Sequence, residues 1–193
     1  MLHHGRGTDE RDLLGLADAL DPERRLLVVT PRAPLVLEGS PGFHWYLVPR
    51  VGYPDRDTFQ AARAALAELH DGLWEKTGVE PSRTVFGGFS MGAVMSYAMG
   101  LSGDRPPVAG ILAFSGFVPT VEDWQPRFDD RLGTRAFIAH GGRDPIIEIG
   151  FGQRARGLLE EGGIAVEYHE SELGHQIDPA HLDAASSWLA NVL

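Results

Sequence analysis

The chain contains no cysteine among its 193 residues, which excludes a disulfide framework, a thiol nucleophile and a thiolate metal site. It also lacks a long apolar run, because residues 108–118 form its longest stretch, about eleven residues against the roughly 20 that a membrane span needs. No basic, apolar and small-residue leader pattern opens the chain. We therefore expect no membrane span and a cytoplasmic location.

Basic residues are scarce, since 17 lysines and arginines stand against 27 aspartates and glutamates and leave a net charge of −10. A charge of that sign repels phosphate backbones, so nucleic acid is not an expected partner. The 43% of hydrophobic residues is close to the usage of globular proteins. We expect a single domain over residues 1–193.

Several β-rich runs alternate with segments of helical period, which is typical of βαβ units around a mainly parallel sheet. The predicted strands span 26–30, 84–89, 108–114, 136–140 and 165–169. The predicted helices span 10–20, 55–77, 91–101 and 149–161, with a last helix capped by Asp178. The irregular segment 117–134 can be either a lid over a pocket or a structured surface loop.

A glycine-flanked serine motif, Gly88-Phe89-Ser90-Met91-Gly92, stands between a predicted strand and a predicted helix. A serine on so tight a turn has a strained backbone, and glycines two residues to either side avoid clashes while its hydroxyl stays exposed. The first amides of the next helix lie where negative charge develops during acyl transfer. The motif predicts Ser90 as a nucleophile, although five-residue matches also occur by chance.

A serine hydroxyl needs a base that takes its proton, and eight histidines compete for that role. His175 lies in a predicted loop at the carboxyl edge of the sheet, where catalytic groups gather in open α/β sheets. Asp144 follows the predicted strand 136–140 at the same edge, with Glu148 as the reserve acid. The order serine, acid, histidine along the chain predicts a triad of Ser90, Asp144 and His175.

The stretch His4-Gly5-Arg6-Gly7 can supply part of an oxyanion hole, because its glycines let a backbone amide approach the substrate. We expect the N–H groups of Arg6 and Met91 to be the two donors. The same stretch lacks the third glycine of a dinucleotide fingerprint, and the histidines lack the spacing of a zinc site. We expect no metal and no organic cofactor.

Together with His140-Gly141-Gly142-Arg143-Asp144-Pro145 and Gly174-His175, these motifs resemble the phospholipase/carboxylesterase family, which includes acyl-protein thioesterases. The likeness covers nearly the whole chain. It implies a three-layer α/β-hydrolase fold with little or no cap, serine esterase chemistry and no cofactor. It also implies the same triad and the same two oxyanion donors. Met91 stands where acyl-protein thioesterases commonly have glutamine.

We expect a small-molecule ester substrate with a short or medium acyl chain. Phe117, Trp124 and Ile147 are candidate residues of the acyl pocket. Two alternatives stay open. One is a thioesterase or dienelactone-type hydrolase, although the latter group typically uses cysteine. The other is a non-catalytic ligand-binding protein on the same scaffold.

The N-terminus is unusually short for this family, whose members usually place one to three strands before the His-Gly motif. Unpaired buried backbone groups cost roughly 1–3 kcal/mol each, so we expect residues 1–3 to pair as the end of a strand. The rest of that position in the sheet is then closed by a shift of the sheet, by a partner chain in a homodimer, or by upstream residues.

Overall fold

Five parallel strands form the central sheet of the protein, which a computed structural model describes over residues 1–193. In chain order the elements are β1 (Leu2–His3), α1 (Ala17–Leu20), β2 (Leu35–Val36), β3 (Phe43–His44), α2 (Arg56–Thr77), β4 (Val85–Phe89), α3 (Met91–Gly100), β5 (Gly110–Phe114), β6 (Arg135–Gly141), α4 (Ile149–Glu161), β7 (Ala165–Ser171) and α5 (Leu182–Val192). The strand order is β1-β4-β5-β6-β7. Every neighbouring pair is parallel, so all five carboxyl ends lie at one edge.

Helices cover both faces of this sheet. One hydrophobic core contains apolar side chains of α2, α3 and α4, and the other contains side chains of α1 and α5. The sequence explains the limits of α2: the Asp55 carboxylate accepts a hydrogen bond from the Thr58 amide, and Gly78 ends the helix with a φ of 69°. The result is the three-layer arrangement expected from the sequence. No helix is both long and apolar enough to cross a membrane.

Four of the five predicted strands are confirmed within a few residues, but the strand predicted over 26–30 is wrong. This segment is irregular, and its Val29 carbonyl accepts a hydrogen bond from the Leu2 amide at 2.8 Å. The helix predicted over 10–20 is also too long, since only a 3₁₀ turn at Leu14–Leu16 and α1 form there. The β2–β3 hairpin, whose strands have two residues each, is not among the predicted elements.

The first residues of the chain pair as expected. Leu2 and His3 lie opposite Gly87 and Gly88 of β4, and the Met1 ammonium donates to the Val85 carbonyl at 2.7 Å. On the side of β1 away from β4, the irregular segment that contains Val29 partly occupies the place of a neighbouring strand. This pairing places the His4-Gly5-Arg6-Gly7 loop directly after β1, beside the end of β4.

The segment 117–134 is a structured loop and not a lid. The Arg131 guanidinium is fully buried and donates hydrogen bonds to the backbone carbonyls of Ser102 and Arg105. Trp124 is 5% exposed and packs edge-on against Phe59, with ring centroids 6.0 Å apart. The loop is therefore held against the end of α3 and the side of α2.

Candidate active site

Ser90 lies on a sharp turn between β4 and α3, with a φ of 55° and a ψ of −119°. Its amide donates to the Phe114 carbonyl at 2.9 Å, which ties the turn to the neighbouring strand β5. The flanking glycines are needed because the turn packs on the backbone of β1. A Cβ at Gly92 would lie 1.9 Å from the His3 carbonyl oxygen, and one at Gly88 would lie 2.6 Å from the same atom.

His175 and Asp144 lie next to Ser90 at the carboxyl edge. The Asp144 carboxylate can only accept, so His175 Nδ1–H donates to Asp144 Oδ2 at 2.6 Å. The other ring nitrogen, Nε2, then accepts from the Ser90 hydroxyl at 2.8 Å. The structure thus brings the three residues of the predicted triad into one hydrogen-bonded chain, in the tautomer that general-base catalysis requires.

Backbone amides of the loop after β6 fix the position of the Asp144 carboxylate. Its side chain is fully buried, and Oδ1 accepts from the amides of Ile146 and Ile147 at 2.8 Å each. The loop that carries His175 is joined to it, because the Arg143 amide donates to the Leu173 carbonyl at 3.0 Å. The reserve acid Glu148 is exposed and has no hydrogen bond to His175.

Two backbone amides, one in the loop after β1 and one at the start of α3, have no backbone acceptor. The Arg6 N–H donates to no other backbone group, and Met91 is the first residue of α3, so its N–H has no acceptor inside the helix. Both residues line the same cavity as Ser90 and His175. The two residues predicted to supply the oxyanion donors therefore border one cavity with the serine and the histidine.

His4 holds the loop that presents the Arg6 amide. The Ala33 amide donates to His4 Nε2 at 3.0 Å, while Nδ1–H donates to the Gly5 carbonyl at 2.8 Å. Burial lowers the pKa of this imidazole, which keeps it neutral and able to accept the Ala33 hydrogen bond. The Gly7 amide donates to the Phe43 carbonyl at 3.0 Å, which attaches the loop to the β2–β3 hairpin.

A cavity of about 380 Å³ opens above Ser90. It is lined by Gly5, Arg6, Thr8, Asp12, Tyr46, Val48, Val51, Phe89, Ser90, Met91, Phe117, Ile146, Ile147 and His175. Phe117 and Ile147, two of the three predicted pocket residues, belong to this lining. The third, Trp124, does not, because its ring is buried in the core against α2.

Several residues of this cavity are not among the predicted pocket residues. Tyr46, Val48 and Val51 lie on a connection between β3 and α2 that has no periodic pattern, so no signal in the sequence places them near Ser90. Ile146 is easier to find. It is the neighbour of the predicted Ile147 and lies two residues after Asp144, on the loop that carries the acid of the predicted triad.

Comparison with known proteins agrees with this geometry. A family model described as Phospholipase/Carboxylesterase matches residues 1–193. Lysophospholipase-like protein 1 from Mus musculus is 29% identical over 119 residues, or 59% of this chain and 48% of the relative. Acyl-protein thioesterase 1 from Emericella nidulans is 30% identical over 121 residues, or 60% of this chain and 50% of the relative. The matched part is therefore about half the length of these two curated relatives.

Among solved structures, a Bacillus cereus carboxylesterase superposes with a TM-score of 0.85 at 25% identity, covering 100% of this chain and 87% of that one. The esterase PE8 superposes with a TM-score of 0.79 at 28% identity, covering 100% and 91%. Both neighbours share the three-layer fold described above over their whole matched length. The chain belongs to the phospholipase/carboxylesterase family.

Proposed function

We propose that residues 1–193 form a single-domain serine hydrolase that cleaves carboxylic esters of short to medium acyl chains. The observation that carries the proposal is the hydrogen-bonded chain Ser90–His175–Asp144 at the floor of an open cavity. Membership of the phospholipase/carboxylesterase family supports the same reaction class. Its catalytic groups are Ser90, His175 and Asp144, with the amides of Arg6 and Met91 as oxyanion donors.

The first half of the reaction forms an acyl-enzyme. His175 Nε2 takes the proton of the Ser90 hydroxyl while Oγ attacks the ester carbonyl carbon. The carbonyl oxygen becomes an oxyanion, which the N–H groups of Arg6 and Met91 stabilise. Asp144 stabilises the imidazolium. His175 then returns the proton to the alkoxide oxygen of the leaving group, the carbon–oxygen bond breaks, and the alcohol departs.

Water completes the cycle. His175 Nε2 accepts a proton from a water molecule, whose oxygen attacks the acyl carbon bound to Ser90. The second tetrahedral intermediate collapses, the Ser90 oxygen leaves with the proton from His175, and the carboxylic acid is released. No step uses a metal or an organic cofactor.

The cavity lining supports a small ester with one apolar half. Val51, Phe117 and Ile147 offer apolar contact to an acyl chain, and about 380 Å³ is within the range of small-molecule sites. Arg6 and Asp12 add charged groups to the lining. The cytoplasmic location stays a prediction, and a homodimer stays one of the three alternatives given for the short N-terminus.

Thioester hydrolysis is a second candidate, favoured by the matches to proteins named acyl-protein thioesterase 1. The same triad serves both reactions, which differ only in the leaving atom. A panel of matched oxygen esters and thioesters of increasing acyl length separates them through kcat/KM. We expect the highest kcat/KM with short to medium oxygen esters and its loss in Ser90→Ala. If the wild-type protein binds esters without hydrolysing any, a non-catalytic binding function replaces the proposal.

A further inference from the structure

A second histidine, His140, lies on β6 four residues before Asp144 and has no role in the proposed reaction. Its side chain is fully buried, and its Nε2 lies 2.7 Å from the Ile147 carbonyl oxygen and 3.7 Å from Asp144 Oδ2. A carbonyl oxygen can only accept a hydrogen bond, so Nε2 carries the proton. His140 therefore presents a buried N–H donor to the loop that holds the acid.

This N–H fixes the orientation of Ile147. The Ile147 amide donates to Asp144 Oδ1 at 2.8 Å, while the Ile147 carbonyl accepts from His140. The peptide groups on both sides of this residue are thus anchored, one to the carboxylate and one to the imidazole. Without the His140 hydrogen bond, the carbonyl would be a buried acceptor with no partner and the loop would be free to turn.

The other ring nitrogen of His140 faces the backbone of α4. Nδ1 has no hydrogen-bond partner, and a Cβ at Gly152 would lie 2.7 Å from it. A proton on Nδ1 would place an unpaired charge in this buried position, and burial lowers the pKa of His140 accordingly. A neutral His140 does not weaken the electrostatic attraction between the Asp144 carboxylate and the His175 imidazolium. A cation 3.7 Å from Oδ2 would weaken that attraction.

We propose that His140 is a positioning residue for Asp144: as a neutral Nε2–H donor, it anchors Ile147 and so keeps the carboxylate aligned with His175. The role in catalysis rests on the proposed function. The geometric part does not, because the hydrogen bond between His175 and Asp144 exists with or without turnover.

The test compares His140→Phe, which keeps a ring but removes the donor, with His140→Gln, which restores an N–H. A misplaced acid costs up to about 10²-fold in rate, so we expect the Phe variant to lose about 10–100-fold in kcat with KM little changed. The acid limb of its kcat/KM profile should move to lower pH, because Asp144 then stabilises the His175 imidazolium less. Gln should recover most of both losses. Rates are expressed per site titrated with a fluorophosphonate, which removes any effect of misfolded protein.

Two further variants sharpen the comparison. Gly152→Ala pushes on the His140 ring without changing its chemistry, and we expect it to reproduce the kcat loss and the shift of the pH profile. His169→Phe changes a histidine of β7 that makes its hydrogen bond to Glu167, and we expect no change in either readout. The NMR resonance of the His175 Nδ1 proton gives a measurement independent of turnover. It should shift upfield or broaden in His140→Phe and return in His140→Gln.

The proposal fails if His140→Phe keeps the wild-type kcat per titrated site and the wild-type pH profile. It also fails if Gln is no better than Phe, or if the Phe variant loses only thermal stability. Absence of ester hydrolysis in the wild-type protein would instead contradict the proposed function. The His175 Nδ1 resonance then still decides whether His140 positions Asp144.

Discussion

Replacing Asp144 by asparagine should leave the site nearly intact in shape and nearly inactive. The amides of Ile146 and Ile147 both donate to Oδ1, so the asparagine must place its carbonyl oxygen there. Its NH₂ group then faces His175 Nδ1. A donor at that position forces Nδ1 to accept and moves the ring proton to Nε2, where it cannot take the proton of the Ser90 hydroxyl.

The size of the effect follows from the two amides. Turning the asparagine over would leave the buried Ile147 N–H and the part-buried Ile146 N–H without an acceptor, at roughly 1–3 kcal/mol for the buried group and less for the other. The active tautomer is therefore disfavoured by about 1–4 kcal/mol, which corresponds to about 5-fold to 10³-fold in population. Loss of the carboxylate charge adds to this, and we expect kcat to fall about 10⁴-fold in total, somewhat less than in Ser90→Ala.

The assay is kcat on the best ester of the panel, for Asp144→Asn and for Glu148→Gln as the matched control. Glu148 belongs to the same part of the chain but has no hydrogen bond to His175, so its variant should keep activity within a few-fold. If Asp144→Asn stays within tenfold of the wild type while Glu148→Gln collapses, the acid is Glu148 and the reasoning from the amides is wrong.

Three other perturbations have defined outcomes. Gly92→Ala should lower the free energy of unfolding, measured by urea denaturation, by about 3 kcal/mol or more, because its Cβ would lie 1.9 Å from the His3 carbonyl oxygen. Gly133→Ala is the control and should be nearly neutral, because its Cβ would have no atom within 4 Å. His70 is fully buried without a hydrogen-bond partner, and burial lowers its pKa to about 3. The unfolded chain binds this proton below about pH 6.5 and the folded protein does not, so His70 should lower the stability by about 3 kcal/mol at pH 4.5. Urea titrations of His70→Phe should lose this share of the pH dependence, while the share from other buried histidines such as His4 and His140 remains. Ester turnover should be unchanged after exhaustive treatment with a strong chelator, and a loss restored by zinc or manganese would contradict the serine mechanism.

The sequence was sufficient to predict most of the architecture, because the strands that build the site are short apolar runs bounded by glycine. The strands β4, β5 and β6 are buried on both faces, and the absence of alternating polar residues in their sequences predicts this burial. The failures are at the edge of the sheet. Residues 26–30 have the composition of a strand, yet one hydrogen bond to Leu2 is all that the segment makes with β1.

In the candidate site, the triad residues could be predicted from the sequence, whereas several pocket residues could not. Ser90, Asp144 and His175 lie on connections that directly follow parallel strands, so the topology alone brings them to one edge. The prediction that Trp124 lines the pocket is wrong because its loop folds back onto α2, and nothing local in the sequence encodes that contact. Val48 also depends on long-range packing of an irregular connection.

Covalent labelling of the serine tests the central claim most directly. The protein is exposed to an active-site-directed fluorophosphonate, and the adduct is located by intact mass and peptide mapping in the wild type and in His175→Ala. We expect one adduct per chain, on Ser90 alone, formed at a rate that falls by several orders of magnitude in His175→Ala. An adduct on Ser115, or an unlabelled wild-type protein under conditions that exhaust a control serine esterase, would contradict the account.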